Sequence, residues 1–277
     1  MENKNIIGSE LKRIRQQLGL TQDEMTGGII RKSHYSKVER GIEGISANSL
    51  LKILFIHNID IDQFFEDIKE KYYSPEKSKA EALETCMMKS FNESDINSVR
   101  KCLSEILELK DYRILKYRAI IAVAMFENKL DDLSSEFKNE IFLEFTDHNN
   151  WAENIDSLRL FGNCLQIFTI EQIDVFMKQL LRHYEDKNSK SEKMLERVAI
   201  ICNNYLYHCY YDKVDGSNIK SCLDYLNCLD KQSHFLFYHI CYEFYKSLFD
   251  GNKAKAQEMK NFLISCGYKD RVASWKI

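Results

Sequence analysis

Ile7, Leu11, Ile14 and Leu18 recur at helical spacing, so residues 6–18 predict a helix with one apolar face. Gly19 stops it. Thr21 then stands as N-cap of a second short helix, "TQDEMTGG", and Glu24 three residues on completes a capping box. A turn at Gly27–Gly28 leads to a third helix at about 33–40, capped by Ser33 and stopped by Gly41. Ser46 opens "SANSLLKILFIHN" and Asp60 opens "DIDQFFEDIKEKYY", which makes five short helices in about 72 residues. "SPEKSKAE" (74–81) holds Pro75, the only proline of the chain, and is the natural boundary between two domains.

Beyond it the pattern repeats. Aromatic-rich helices are predicted at about 112–126, 155–168, 194–211 and 234–249, and each is followed by a second amphipathic helix, at 131–145, 171–185, 217–229 and 253–266. A further pair, at about 79–90 and 95–108, precedes them. Two helices per unit of roughly 40 residues is the signature of a helical solenoid. An offset of 41 places Asn163 on Asn204 and Leu165 on Leu206.

The composition agrees. With 277 residues, 44% hydrophobic and 29% charged, the chain has room for about two globular domains. One proline and ten glycines are too few turn residues for a β-sandwich or barrel, so the fold class is all-α. No run of 18 apolar residues occurs and "MENKNIIGSELKRIRQQ" lacks the apolar core of a signal peptide, so no membrane partner and a cytoplasmic location are expected. The nine cysteines are scattered without a CxxC pair; Cys202, Cys209, Cys241 and the others read as small buried hydrophobes in a reducing compartment. HExxH, GxGxxG, Walker A and GxSxG patterns are absent, so no enzyme activity, metal or cofactor is expected. Asp131 and Asp132 sit at a predicted helix start, where acids favour the dipole.

A formal net charge of −3 means that any nucleic-acid surface must be local. Residues 1–45 carry eight basic and six acidic side chains. Within them "GIIRKSHYSKVERG" (28–41) gathers Arg31, Lys32, Lys37 and Arg40 around Ser33, Tyr35 and Ser36, with Glu39 the only acid. Alone, the patch reads as the solvated face of a short helix. Its surroundings change that, because "LKRIRQQLGLTQDEM…YSKVERG" resembles the helix-turn-helix of Cro/CI-type (Xre) repressors across residues 6–70, through Arg15, Thr21-Gln22, Ser36, Glu39 and Gly41. The resemblance implies that the second helix crosses the DNA backbone with Gln22 at a phosphate, while the third enters the major groove. Arg31, Lys32, Ser33 and Tyr35 then lie at the leading edge, Ser33 and Tyr35 as base readers. Lys37 and Arg40 reach flanking phosphates together with Lys12 and Arg13, and Ser36 completes the set. Arg15 has two readings: a DNA contact, or an ion-pair partner of Glu39 that locks the first helix to the third.

Where Xre domains usually carry "LA" in the second helix, this chain has "MTGGI", followed by "ISANSLLKILFIHNI", "FF" and a helical tail of about 200 residues. In this it resembles the Rgg/MutR/GadR regulators of Gram-positive bacteria. That resemblance implies a DNA-binding domain at 1–73 and a tetratricopeptide-like dimerisation and ligand-sensing domain at 74–277. It also implies a homodimer on pseudo-palindromic double-stranded DNA, a short peptide as ligand and RNA polymerase as a further partner.

In such a stack the first helix of each pair lines the concave face. Asp156, Arg159, Asn163 and Gln166 form one polar stripe on 155–168, and Arg197, Asn204, Tyr207 or His208, and Tyr211 form its counterpart on 194–211. Carboxamides donate and accept at once, as a peptide backbone requires, and an arginine can clasp a carboxylate. Tyr238, Tyr242 and Tyr245 supply apolar walls. The other reading leaves Asn163 and Asn204 bonded to backbone at helix crossings and the tyrosines in the core between repeats. "FLISCGYKDRVASWKI" reads as a dimerisation segment or a cap, with Trp275 packed. Two further functions fit the same pattern: a ligand-independent repressor with a structural tail, and a helical-repeat adaptor.

Overall fold

The apolar spacing of the N-terminal segment produces five helices, α1 (Ile6–Gln17), α2 (Gln22–Thr26), α3 (Lys32–Glu39), α4 (Ala47–Ile56) and α5 (Ile61–Lys69). The computed structural model describes residues 6–146 and 150–277, and these contain fifteen α-helices and no strand. Leu11 and Ile14 of α1 meet Met25, Tyr35, Val38, Ile53, Leu54, Phe64 and Ile68 in a single N-terminal core. Three of the helices start on side chains read from the sequence. Thr21 accepts the Glu24 N–H while Glu24 accepts the Thr21 N–H at 2.7 Å, Ser46 accepts from Ser49, and Asp60 from Gln63. The cap expected of Ser33 does not form: Arg31 is extended (φ −66, ψ 139), so helical geometry starts at Lys32 and Ser33 lies inside the first turn.

The expected boundary segment at 74–81 is helical from Pro75 onward. Pro75 is the first residue of α6 (Pro75–Asn92), where its missing N–H costs nothing, and Ser74 Oγ caps the Lys77 N–H at 3.1 Å. Two compact units, Met1–Ala82 and Leu83–Ile277, therefore divide inside a helix.

The second unit continues with α7 (Ile96–Leu107), α8 (Arg113–Phe126), α9 (Ser135–Thr146), α10 (Ile155–Cys164), α11 (Ile170–His183), α12 (Glu192–Tyr211), α13 (Ile219–Asn227), α14 (Leu236–Phe249) and α15 (Lys253–Ser265). The first helices of successive pairs are neighbours, α8 on α10, α10 on α12 and α12 on α14, which is the stacking of a helical-repeat array. Phe145, Trp151, Phe161 and Phe176 lock this array with ring centroids 5.2–6.1 Å apart, almost all edge to face.

Local details depart from expectation. α10 ends at Cys164, so Gln166 sits in the turn beyond it. α9 starts at Ser135 with Ser134 capping Phe137, which leaves Asp131 and Asp132 in the preceding turn and not at a helix start. Cys102, Cys164, Cys202, Cys209, Cys222 and Cys241 are buried, but Cys86, Cys228 and Cys266 are exposed. Trp275 is packed, stacked on Phe244 at 3.7 Å. No described helix is long and apolar enough to cross a membrane.

Candidate functional site

The helix-turn-helix is held at Glu39. This carboxylate, almost fully buried on α3, accepts from Arg15 Nε at 2.6 Å and Nη2 at 3.1 Å, and from Gln22 Nε2 at 2.7 Å. Arg15 Nη1 also donates to the Leu20 carbonyl at 2.8 Å. Burial pushes the Glu39 carboxyl up, but the bonds from Arg15 and Gln22 outweigh it and hold it below its ordinary value. One side chain thus ties together α1, the start of α2 and α3.

This network corrects part of the expected DNA surface. Arg15 takes the ion-pair role. Gln22 turns its amide to Glu39 and the Glu24 N–H is taken by Thr21, so neither of these two donors is free for the phosphate expected at the start of α2. Tyr35 is fully buried beside the Arg15–Glu39 pair, so it is a core residue and cannot read bases. Arg13 spends all three guanidinium nitrogens, Nε on Glu10, Nη1 on Gln17 and Nη2 on Asp67 at 2.7 Å as well as on Glu10. Lys37 pairs with Glu43 at 2.5 Å. Lys12, Arg31, Lys32, Ser33 and Arg40 are exposed, and the four cations among them carry no ion pair with the described residues. Ser36 is half-buried and gives its carbonyl to Arg40 Nε.

Two glycines shape the approach to α3. Gly27 is left-handed (φ 52), and a Cβ there would stand 2.8 Å from Ile56 Cδ1; Gly28 follows at φ 76. This turn and the start of α3 border a shallow cleft lined by Asp23, Thr26, Ile29, Ile30, Arg31, Lys32 and His34.

The second candidate site is a groove of about 670 Å³ inside the repeat unit. Asn163, Gln166, Asn204, Tyr207 and His208 line it as the polar stripes require, and Tyr238 lines it as an expected wall. Arg159, Arg197, Tyr211 and Tyr242 do not. Arg159 pairs with Asp156 and Glu84; Tyr211 donates to the Lys276 carbonyl at 2.6 Å; and Tyr242 lies against Lys246. Arg197 leaves Nε buried without a partner, and burial together with the nearby Arg159 and Arg118 depresses its pKa.

Inside the groove the carboxamides are partly used. Arg118 Nε donates to Asn163 Oδ1 at 3.1 Å, Asn204 Nδ2 donates to the Gly162 carbonyl at 3.2 Å, and Gln166 reaches Asp212, which also holds His208 Nδ1 at 2.7 Å. Asn163 Nδ2 and Asn204 Oδ1 therefore keep a donor and an acceptor. Asn203, which no pattern in the sequence singles out, also lines the groove, and its Oδ1 is buried with no partner. Tyr245 lines the groove as an apolar wall, as expected, whereas the unexpected wall comes from α6 and α8 (Met87, Phe91, Leu115, Arg118, Ala122, Met125) and from Phe237 and Trp275. Part of it is within reach of the sequence: the offset of 41 that pairs Asn163 with Asn204 leads from Asn163 back to Ala122.

Fold and surface together define a class: a helix-turn-helix domain followed by a helical-repeat domain, the layout of a DNA-binding transcription regulator. Residues 11–64 match the helix-turn-helix family model. A candidate transcriptional regulator from Listeria monocytogenes EGD-e has a similar structure, with a TM-score of 0.77 at 18% identity, covering 99% of this chain and 95% of that one. So does the SHP pheromone receptor Rgg2 of Streptococcus dysgalactiae, with a TM-score of 0.67 at 16% identity over 97% of this chain and 98% of that one. PrgX in its complex with cCF10 gives 0.66 at 15% identity over 97% and 96%. At these identities the shared property is the fold, over essentially the full length.

Proposed function

We propose that this chain binds double-stranded DNA through the exposed start of α3 and regulates transcription in response to a short peptide held in the repeat groove. The observation that carries the peptide reading is Asn203 Oδ1, a buried acceptor without a partner in the wall of an open groove. An orphan acceptor costs about 1–3 kcal/mol, which a ligand N–H can recover. Beside it Asn204 Oδ1 and Asn163 Nδ2 offer an acceptor and a donor, the pair that an extended backbone needs, and Met87, Phe91, Leu115 and Phe237 offer apolar walls for side chains. The fold shared with a pheromone receptor and with a PrgX/cCF10 complex supports the same reading.

The regulator acts as a homodimer on a pseudo-palindromic operator, since two-fold protein symmetry calls for two-fold half-sites. Peptide binding then biases the DNA-bound form by binding it with a different affinity from the free form. Calorimetric titration of the full chain with short hydrophobic peptides encoded near its gene tests the ligand. Saturable binding that Asn204→Ala weakens supports the reading, and no heat with any of them favours the ligand-independent repressor. A gel shift on the upstream region tests the DNA half; no sequence-specific shift favours the adaptor.

A further inference from the structure

Among the buried and exposed thiols, two stand face to face at the edge of the repeat unit. Cys86 lies on α6 and Cys102 on α7, and the Cys102 thiol donates to Cys86 Sγ at 3.0 Å, inside ordinary contact of two sulfurs. Cys86 is exposed and Cys102 is buried beneath it. We propose that Cys86 and Cys102 are an oxidation site, in which a peroxide converts the exposed Cys86 to a sulfenic acid and Cys102 resolves it into a disulfide joining α6 to α7.

The chemistry balances on these two residues and the peroxide. The Cys86 thiolate attacks the O–O bond, forms the S–O bond of a sulfenic acid and releases water after proton transfer. Cys102 Sγ then attacks the Cys86 sulfur, the S–O bond breaks, and the Cys102 proton leaves with the departing hydroxide as a second water. The two sulfurs supply the two electrons that reduce the peroxide, and a dithiol reductant reverses the bond by exchange. Closing it requires the sulfurs to approach by about 1 Å, to the ~2.05 Å of a disulfide.

The division of labour follows from access. A reagent in water meets Cys86 first. Burial, and then the neighbouring Cys86, push the Cys102 thiol up to about 12, so it is inert as a first nucleophile and reacts only with a sulfur delivered to it. Cys202 and Cys222 make the useful contrast. They are also close neighbours, but both are fully buried, where no oxidant reaches them. The bridge has a location of consequence, because α6 also carries Glu84, Met87 and Phe91 into the groove wall.

The test is peptide mapping without reduction of the full native chain after hydrogen peroxide treatment, with free thiols alkylated first. The expected product is one intrachain Cys86–Cys102 pair, a fall of two from the nine titratable thiols, and full recovery with dithiothreitol. Cys102→Ser is expected to stop at a Cys86 sulfenic acid that dimedone traps, and Cys86→Ser to leave Cys102 reduced. An intact chain whose Cys86 ends as a sulfinic acid or an intermolecular bridge, with Cys102 still free, overturns the proposal. The wild-type map decides this even if Cys102→Ser fails to fold.

Discussion

Arg15→Ala is the most informative single change in the N-terminal unit. It removes one partner of an ion pair whose side chains are only 14% and 2% exposed, so solvent screens the pair little. Glu39 would keep the Gln22 amide but lose two charged donors, and breaking a buried pair from one side costs roughly 3–5 kcal/mol. Against a domain stability of about 5–15 kcal/mol this leaves the unit marginal. Hydrogen exchange followed by mass spectrometry resolves α1–α3 in the full chain. At about 1.4 kcal/mol per decade, protection there should fall by about two to three and a half decades. The effect should also depend on pH. Glu39 is held below its ordinary 4.5 in the folded chain, so the unfolded state binds the proton more readily. The contribution of the pair is complete above that value and drains as pH falls through the lower folded one. In the variant burial is no longer outweighed, so the gap to wild type should narrow in acid. A loss of protection below tenfold, or a gap that widens in acid, would refute the assignment of Glu39 as the hub.

The turn and the groove give two further tests. Gly27→Ala and Gly28→Ala both force a left-handed alanine, at about 1–2 kcal/mol each, but only at Gly27 would the new Cβ stand 2.8 Å from Ile56 Cδ1. Chemical denaturation should rank Gly27→Ala as the more damaging, and equal losses would show that Ile56 swings clear. Asn203→Leu removes a buried acceptor worth about 1–3 kcal/mol of penalty, so the unliganded protein should melt at the same or a higher temperature while peptide affinity falls. A variant that melts lower would mean that Asn203 already has a partner in solution.

Periodicity carries nearly all of the fold. Every helix pair from α6 to α15 falls within a few residues of its predicted place, because the apolar stripe that marks a helix is the same one that packs it. The misses are of another kind. The boundary read at "SPEKSKAE" lies next to the division at Ala82–Leu83, but its proline breaks nothing: at the first position of α6 it starts a helix. Tyr35 stands in a basic run and reads with its neighbours, yet the 3.6-residue spacing from Val38 and Glu39 already turns it toward the core. The groove is half legible for the same reason: positions on one helix face can be named, but whether Arg159 points into the groove or along its own helix to Asp156 depends on Glu84, two repeats away.

Charge is where reading along the chain misleads most, and it yields a number. The sequence offers seven cations to DNA, Lys12, Arg13, Arg31, Lys32, Lys37, Arg40 and, on one of its two readings, Arg15. Three have carboxylate partners, of which the sequence offers only the Arg15–Glu39 pair as an alternative reading. Arg13 bonds Asp67, 54 residues on, Arg15 bonds Glu39, and Lys37 bonds Glu43 just beyond the helix. A cation already neutralised by a carboxylate releases no counterion unless that pair breaks first. The log–log salt slope of DNA binding should therefore follow the four cations that remain, about −3.6 per domain at ~0.9 per phosphate, and not the roughly −6.3 of all seven. Fluorescence anisotropy on a half-site across a salt series measures it. Arg31→Ala or Lys32→Ala should flatten the slope by about one, whereas Arg13→Ala should leave it unchanged while loosening α5. A slope near −6, or an Arg13→Ala effect as large as that of Arg31→Ala, would mean that DNA pulls these side chains from their carboxylates on binding.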